Sequence, residues 1–357
     1  MKLSKFFKKH EQLTSIDIGA SSVKLVELEL GKDKPTLKNL ASMPLEGEVF
    51  ANNVISKTEA VADVISALIE ANGIEDKRVV TCVPGPTVFT KRIKTAKMPY
   101  NELVSYVQLE ASNFIPHNID AVRLDFHALR ESGKNQLELL VVAVKNEVID
   151  SILDTLSLAG LEAAIIDIDY FALQNIFEFS YPEKIGSTVA LVDFGSRYSS
   201  VNIVQNGISL FTGDVSAGSR MVSDNLQEAF SISKEDAENI TSQRESSEEA
   251  KAALAVAVEA LAKDFNRQLS FFWSATGSDQ GIESIYFSGG ASRLEGFKSA
   301  MEEVTGLPCE FLDPFRNVQM GDGLESGLVK QMTATAAVAC GMALREPGDR
   351  VLPEEAF

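Results

Sequence analysis

Leu13 to Leu28 reads Leu-Thr-Ser-Ile-Asp-Ile-Gly-Ala-Ser-Ser-Val-Lys-Leu-Val-Glu-Leu. Two β-rich runs, Leu13 to Ile18 and Val23 to Leu28, flank the small residues Gly19, Ala20, Ser21 and Ser22, which is the pattern of a hairpin with a tight bend. Asp17 closes the first run and Lys24 opens the second. Small residues let backbone amides approach an anion closely; a carboxylate can face that anion's metal ion and a lysine its charge. A hairpin whose aspartate only caps the bend would read the same way, so this stretch alone leaves both readings open.

The pattern recurs. Val189 to Val204 reads Val-Ala-Leu-Val-Asp-Phe-Gly-Ser-Arg-Tyr-Ser-Ser-Val-Asn-Ile-Val. Asp193 and Gly195 match Asp17 and Gly19. Ser199-Ser200-Val201 matches Ser21-Ser22-Val23, with a second turn two residues longer. Two such hairpins suggest a duplicated unit with a ligand held between its halves. Two ordinary hairpins, alike by chance, are the alternative.

The chain has 357 residues, 45% of them apolar and 24% charged, which suits a globular protein of two or more domains. No run approaches the ~20 apolar residues that cross a bilayer, and no signal peptide is visible. Cys82, Cys309 and Cys340 each sit in an apolar run and read as reduced, buried thiols of a cytoplasmic protein. His10, His117 and His127 lack metal-ligand spacing. The net charge of −18 excludes a nucleic-acid binder. Residues 1–10 oppose that trend, since Lys2, Lys5, Lys8 and Lys9 carry +4 and leave −22 on the remainder. With Leu3, Phe6 and Phe7 interleaved, this arm is either a solvated terminus or a weak contact for an anionic membrane surface.

Along the chain, a strand at Thr36 to Pro44, a helix at Ser56 to Asn72 and a strand at Arg78 to Val83 continue the opening of an α/β domain. Pro84-Gly85-Pro86 interrupts it. Strands at Thr87 to Ile93, Val122 to Leu129 and Leu137 to Val144 follow, with helices at Asn101 to Phe114, capped by Asn101, and Glu147 to Leu158. Residues 86–159 thus read as an inserted small α+β subdomain. The first domain, 11–85, resumes at 160–185 with strand Ala163 to Ile168 and helix Tyr170 to Phe179. The second domain spans 186–329. In it, Ala217-Gly218-Ser219-Arg220 opens a helix, Ser233 caps another at Lys234 to Thr241, and a long helix runs from Ala250 to Trp273. The apolar stripe of that long helix reads as core. Strand Ser284 to Phe287 runs into Ser288-Gly289-Gly290-Ala291-Ser292-Arg293, a turn where a flat ring or a phosphate can lie against the backbone. A helix at Lys330 to Leu344, within 330–345, rejoins the first domain, and 346–357 form a polar tail.

Taken in order, Asp17-Ile-Gly…Lys24, the acidic helix start at Asp169, Asp193-Phe-Gly…Ser199, Ser288-Gly-Gly-Ala-Ser292 and Cys340-Gly-Met-Ala-Leu-Arg345 resemble the actin-like ATPase superfamily. Within it the chain resembles the PilM family of type IV pilus assembly. The matching residues are the Lys-rich start, Ile16 to Leu28, Glu110-Ala-Ser-Asn-Phe-Ile-Pro116, Ala159-Gly-Leu161, Leu307 to Phe315 and the C-terminal helix.

That resemblance implies an α/β, actin-like ATPase fold, with two RNase H-like domains flanking a nucleotide cleft. It implies ATP there, with Mg2+ held through water by Asp17 and Asp193. Gly19, Ser21, Ser22, Lys24, Gly195 and Ser199 would surround the phosphates, and Gly218, Glu238, Gly289, Gly290, Ser292 and Arg293 the adenosine. Asp169 would help position an attacking water, making Asp17, Asp169 and Asp193 the catalytic set, with weak or no turnover expected. It further implies a cytoplasmic protein peripheral to the inner membrane, with the N-terminal cytoplasmic peptide of a PilN-like inner-membrane protein as partner. Contacts with other pilus alignment or motor proteins, and self-association, stay open.

Two departures bear on turnover more than on binding. Ala237-Glu238-Asn239-Ile240 is followed by Thr241 where relatives often have lysine, and Ser199, preceded by the bulky Tyr198, stands where threonine is usual. An ATPase with functional turnover and a filament protein of the FtsA kind are the rival readings. FtsA-type chains end in a membrane-binding helix, whereas this chain ends Pro347-Gly-Asp-Arg-Val-Leu-Pro-Glu-Glu-Ala-Phe357.

Overall fold

In the computed structural model, residues 12–31, 34–116, 118–241, 247–276 and 281–349 are described. The basic arm 1–10, His117 and residues 350–357 of the tail lie outside them.

The chain opens with the hairpin β1 (Thr14–Ile18) and β2 (Ser22–Glu29), then β3 (Thr36–Pro44), a short ladder of β4 (Phe50–Ala51) and β5 (Val54–Ile55), α1 (Thr58–Ala71) and β6 (Arg78–Val83). Next come β7 (Val88–Ala96), α2 (Tyr100–Ala111), β8 (Val122–Glu131), β9 (Gln136–Lys145), α3 (Asn146–Leu158), β10 (Glu162–Ile168) and α4 (Asp169–Ser180). The second half holds β11 (Val189–Phe194), β12 (Ser199–Gln205), β13 (Ile208–Val215), α5 (Ser219–Phe230), α6 (Lys234–Thr241) and α7 (Glu248–Thr276). It ends with β14 (Ser284–Ser288), α8 (Phe297–Thr305), β15 (Cys309–Phe311), β16 (Gln319–Met320), α9 (Ser326–Met332) and α10 (Ala337–Ala343).

The first sheet has the order β10-β6-β1-β2-β3-β16 and the second β15-β14-β11-β12-β13. Without the two-residue edge strand β16, the orders are the same. In each, the hairpin is antiparallel and its first strand runs parallel to the strand on the other side. The duplication inferred from two short motifs therefore extends through both sheets.

Alternation of side chains divides each sheet between two cores. In β11, Ala190 and Val192 join the core with α5, α6, α7 and α8, while Val189 and Leu191 face a core shared with α4 and α10. That shared core also takes Leu13, Val26 and Leu28, so α4 and α10 lie between the sheets. The far side of the first sheet is covered by α1 and α3. The stripe of α7, including Leu254, Val258, Leu261, Phe265 and Leu269, is buried in the second core, as its spacing predicts. Where α10 crosses α4, a Cβ on Gly341 would fall 1.8 Å from the Ala172 carbonyl oxygen, so only glycine permits the crossing.

A third sheet, β7-β9-β8, packs α2 against one face through Leu103, Val107, Leu139 and Val141. The expected insert ran to 159, but Val148, Ile149, Ile152 and Leu156 of α3 bury into the first sheet's core. Asn101 does not cap α2; Pro99 holds that position and Asn101 lies inside the first turn. The single helix expected at 330–345 is broken. The Ala334 carbonyl accepts the Gly289 N–H at 2.6 Å, and Thr333 Oγ1 bonds back to the Val329 carbonyl at 2.9 Å, so α9 and α10 are separate.

Candidate functional site

The two hairpins close on one cleft of about 500 Å3. Strand register explains how. Asp17 pairs across β1–β2 with Lys24, and Asp193 pairs across β11–β12 with Ser200. Each aspartate is seven residues from its partner. The turns match as well, because Gly19 N–H bonds to the Ser22 carbonyl and Gly195 N–H to the Tyr198 carbonyl, both at 3.1 Å. The second turn is thus the same length as the first, not two residues longer. Arg197 takes the place of Ser21, Tyr198 that of Ser22, and Ser200 that of Lys24. The second turn needs glycine at its start, since an added Cβ on Gly195 would meet the Tyr198 carbonyl oxygen at 2.7 Å; at Gly19 the Ser22 carbonyl oxygen would stand 3.1 Å away, a tight contact.

Lys24 Nζ lies 2.9 Å from Asp17 Oδ2, with each side chain largely buried. Burial pulls the ammonium pKa down, but the charge and hydrogen bond of Asp17 and the charge of Asp193 outweigh it, and the net direction is up. Asp193 is pushed up by burial, against the Ser288 hydrogen bond and Lys24, and further up by Asp17. The Ser288 hydroxyl donates to Asp193 Oδ1 at 2.7 Å, from the adjacent parallel position on β14. The carboxylates of the two halves therefore share one lysine and one electrostatic environment.

Asp169 opens α4 at the back of the cleft. Its Oδ2 accepts from Gly85 N–H at 2.9 Å, from Ser200 Oγ at 3.0 Å and from the Tyr198 hydroxyl at 3.1 Å. Its Oδ1 accepts from Tyr170 N–H at 2.6 Å. Burial pushes this carboxyl up to about 7, with the Gly85 and Ser200 hydrogen bonds opposing and Asp193 adding to the rise. A group titrating there can exchange a proton near neutral pH. Its acceptor positions, however, are already occupied by the protein.

Of the expected residues, Asp17, Gly19, Ser21, Ser22, Lys24, Asp169, Asp193, Gly195, Gly289, Gly290 and Arg293 line the cleft. Four do not. Ser199 is fully buried with its hydroxyl on the Ala217 carbonyl at 2.5 Å, because register puts it at the place of Val23. Gly218 lies against the second turn, where a Cβ would meet the Ser196 carbonyl oxygen at 2.6 Å. Glu238 is exposed on α6 and pairs with Lys234. Ser292 is buried and bonds to the Gly289 carbonyl at 2.7 Å. Sequence reasoning missed Cys82, Pro84, Arg197, Leu328, Gln331 and Thr335, which also line the cleft. Arg197, like Ser196 and Tyr198 beside it in the cleft lining, carried a signal, sitting inside a motif already singled out.

Among the described residues, no three His, Cys, Asp or Glu side chains gather as a metal cage. Asp17 and Asp193 offer two carboxylates, the number that holds a hydrated magnesium beside phosphates. No helix among the described residues is long and apolar enough to cross a membrane.

Comparison with known proteins agrees with this architecture. A chain of the PilM-PilN type IV pilus biogenesis complex superposes with a TM-score of 0.83 at 26% identity, covering 95% of this chain and 99% of that one. The ethanolamine utilization protein EutJ from Carboxydothermus hydrogenoformans shares the fold at 15% identity and TM-score 0.56, with 94% and 89% covered. MreB 5 of Spiroplasma citri bound to AMPPNP does so at 11% identity and TM-score 0.53, with 93% and 94% covered. The fold is actin-like. Residues 15–347 match the type IV pilus assembly protein PilM family, and the chain belongs to that family.

Proposed function

We propose that this protein binds Mg-ATP in the cleft between its two sheets and acts as an adaptor in type IV pilus assembly. The observation that carries this reading is the convergence of Asp17, Lys24 and Asp193, from matching hairpins, on one crevice. The turns of Gly19 to Ser22 and Gly195 to Tyr198 flank the phosphates, with Lys24 meeting their charge. Asp17 and Asp193 hold magnesium through water, as two carboxylates beside a triphosphate do. Gly289, Gly290 and Arg293 border the adenosine. A nucleotide-bound MreB 5 with the same fold supports the choice of ligand.

The partner is the N-terminal cytoplasmic segment of a PilN-like inner-membrane protein, which would keep this protein cytoplasmic and peripheral to that membrane. Likeness to a chain of a PilM-PilN complex supports it. The segment docks at the insert around β7, β8 and β9 or its junction with the first sheet, which is free of the nucleotide motifs. Turnover is weak or absent, because Asp169 spends its oxygens on Gly85, Tyr198 and Ser200.

Calorimetry tests the site: Asp17→Asn and Asp193→Asn each weaken Mg-ATP binding, and unchanged affinity in both would overturn it. Capture of the partner from detergent-solubilised membranes, with and without Mg-ATP, tests the adaptor role. The second reading, an ATPase with functional turnover, draws on the Asp169 carboxyl titrating at about 7 in the cleft. Steady-state phosphate release near or above ~1 s⁻¹, the low end of ordinary enzymes, would favour it.

A further inference from the structure

Three charged side chains meet at the edge of the cleft: Arg197 from the second turn, and Glu48 and Arg220, which belong to neither the phosphate nor the adenosine set. Glu48 lies between β3 and β4 in the first half. Arg220, on α5, reaches it with Nη1 2.9 Å from Glu48 Oε1, and Arg197 Nε lies 4.0 Å from the same oxygen. The Arg197 guanidinium also sits over the Phe50 ring, 5.8 Å from its centre. Both arginines come from the second half, so the cluster bridges the two sides.

Each side is also tied to its own turn. Leu45 N–H, three residues before Glu48, bonds to the Ser21 carbonyl at 2.9 Å. Ser219 and Arg220 N–H bond to the Gly195 and Ser196 carbonyls, each at 3.0 Å. Moving the two turns apart therefore separates Glu48 from Arg220, and breaking the pair removes the tie at the cleft's edge while Tyr198 and Ser200 still hold Asp169 behind it. Glu48 and Arg220 keep about half of their side-chain surface in water. Such a pair contributes little to folding, which suits a contact that opens and closes rather than one that holds the fold.

We propose that Glu48, Arg197 and Arg220 form a reversible clasp across the cleft, and that its opening sets the rate at which bound nucleotide leaves. This rests on the nucleotide reading above and assigns that site a gate. Ionic strength is then a control on residence time, because the clasp is held by screened charge.

The test is displacement of a fluorescent ATP analogue (mant-ATP, with magnesium) from the full chain, followed by stopped flow. Glu48→Gln and Arg220→Gln should each speed release about two- to fivefold, the factor a surface pair of this kind supports. The double variant should release no faster than the faster single, because the two remove one shared interaction. Salt should speed release from the wild type toward the Glu48→Gln rate. Glu259→Gln, which removes an exposed pair with Lys263 on α7, should release at the wild-type rate. Binding of the analogue with release unchanged in both cleft-edge variants would overturn the clasp alone. No binding to the wild type would overturn the clasp together with the nucleotide reading.

Discussion

The Tyr198 hydroxyl donates to Asp169 Oδ2 at 3.1 Å, joining the second half's turn to the helix that leaves the first sheet. With Ser200 on the same oxygen, the contact ties the halves together behind the cleft. The Tyr198 hydroxyl is itself held protonated, pushed well up by burial and by Asp169. Tyr198→Phe leaves the carboxyl with Gly85 and Ser200 and should cost about 1 kcal/mol. Urea denaturation should show a lower midpoint with an unchanged slope.

The same carboxyl gives stability a pH dependence. An unfolded aspartate titrates near 3.9, whereas burial pushes Asp169 up to about 7. Between about pH 4 and pH 7 the folded chain therefore keeps a proton that the unfolded chain has released. The contribution is present in full below pH 4 and is lost as pH rises through 7. Asp169→Asn, which stays neutral, should lack that part of the decline. Melting temperatures of both proteins from pH 5 to pH 8 measure the difference.

Lys24→Met removes the cation that Asp17 and Asp193 share. Two largely buried carboxylates are left facing each other, at a cost of about 3 kcal/mol near neutral pH. Asp193, already pushed up by burial, loses the opposing charge of Lys24 and should titrate higher still, so the deficit should shrink at pH 5 as it takes up a proton. Denaturant titrations at the two pH values read it directly.

Close backbone approaches predict two further weak points. A Cβ at Gly341 would lie 1.8 Å from the Ala172 carbonyl oxygen, and one at Gly289 2.3 Å from the Phe194 carbonyl oxygen, where φ is also +89°. Gly341→Ala and Gly289→Ala should each destabilise by about 1–3 kcal/mol or more. Both should lower the thermal midpoint.

Ser199→Ala separates a structural role from a ligand-binding one. Its hydroxyl satisfies the buried Ala217 carbonyl, so the variant should lose about 1–2 kcal/mol of stability. Its calorimetric affinity for Mg-ATP should match the wild type, in contrast to Asp17→Asn.

Local chemistry made the hairpins legible. An aspartate at a strand end, a glycine and small residues mark the bend within a dozen positions, and the α7 stripe repeats at helical spacing. The error in the second turn came from matching serine to serine. Counting seven residues from each aspartate gives the register, and with it the places of Arg197 and Ser200. The partners of Asp169 come from residues 85, 198 and 200, and Glu48 and Arg220 are 172 positions apart, so no short window contains them. The break between α9 and α10 defied an alanine-rich run because Gly289, remote in sequence, takes the Ala334 carbonyl. Likewise α3 joins the first sheet's core by packing with α1, which its own amphipathic pattern does not specify.

Equal turn lengths place the two hairpins in the same register, residue for residue. The acid stands in both hairpins but the ammonium in one, since serine stands opposite Asp193 where lysine stands opposite Asp17. At the floor of the crevice two carboxyl groups thus flank a single ammonium. A bare polyanion would aggravate that imbalance, while one escorted by a divalent ion would relieve it.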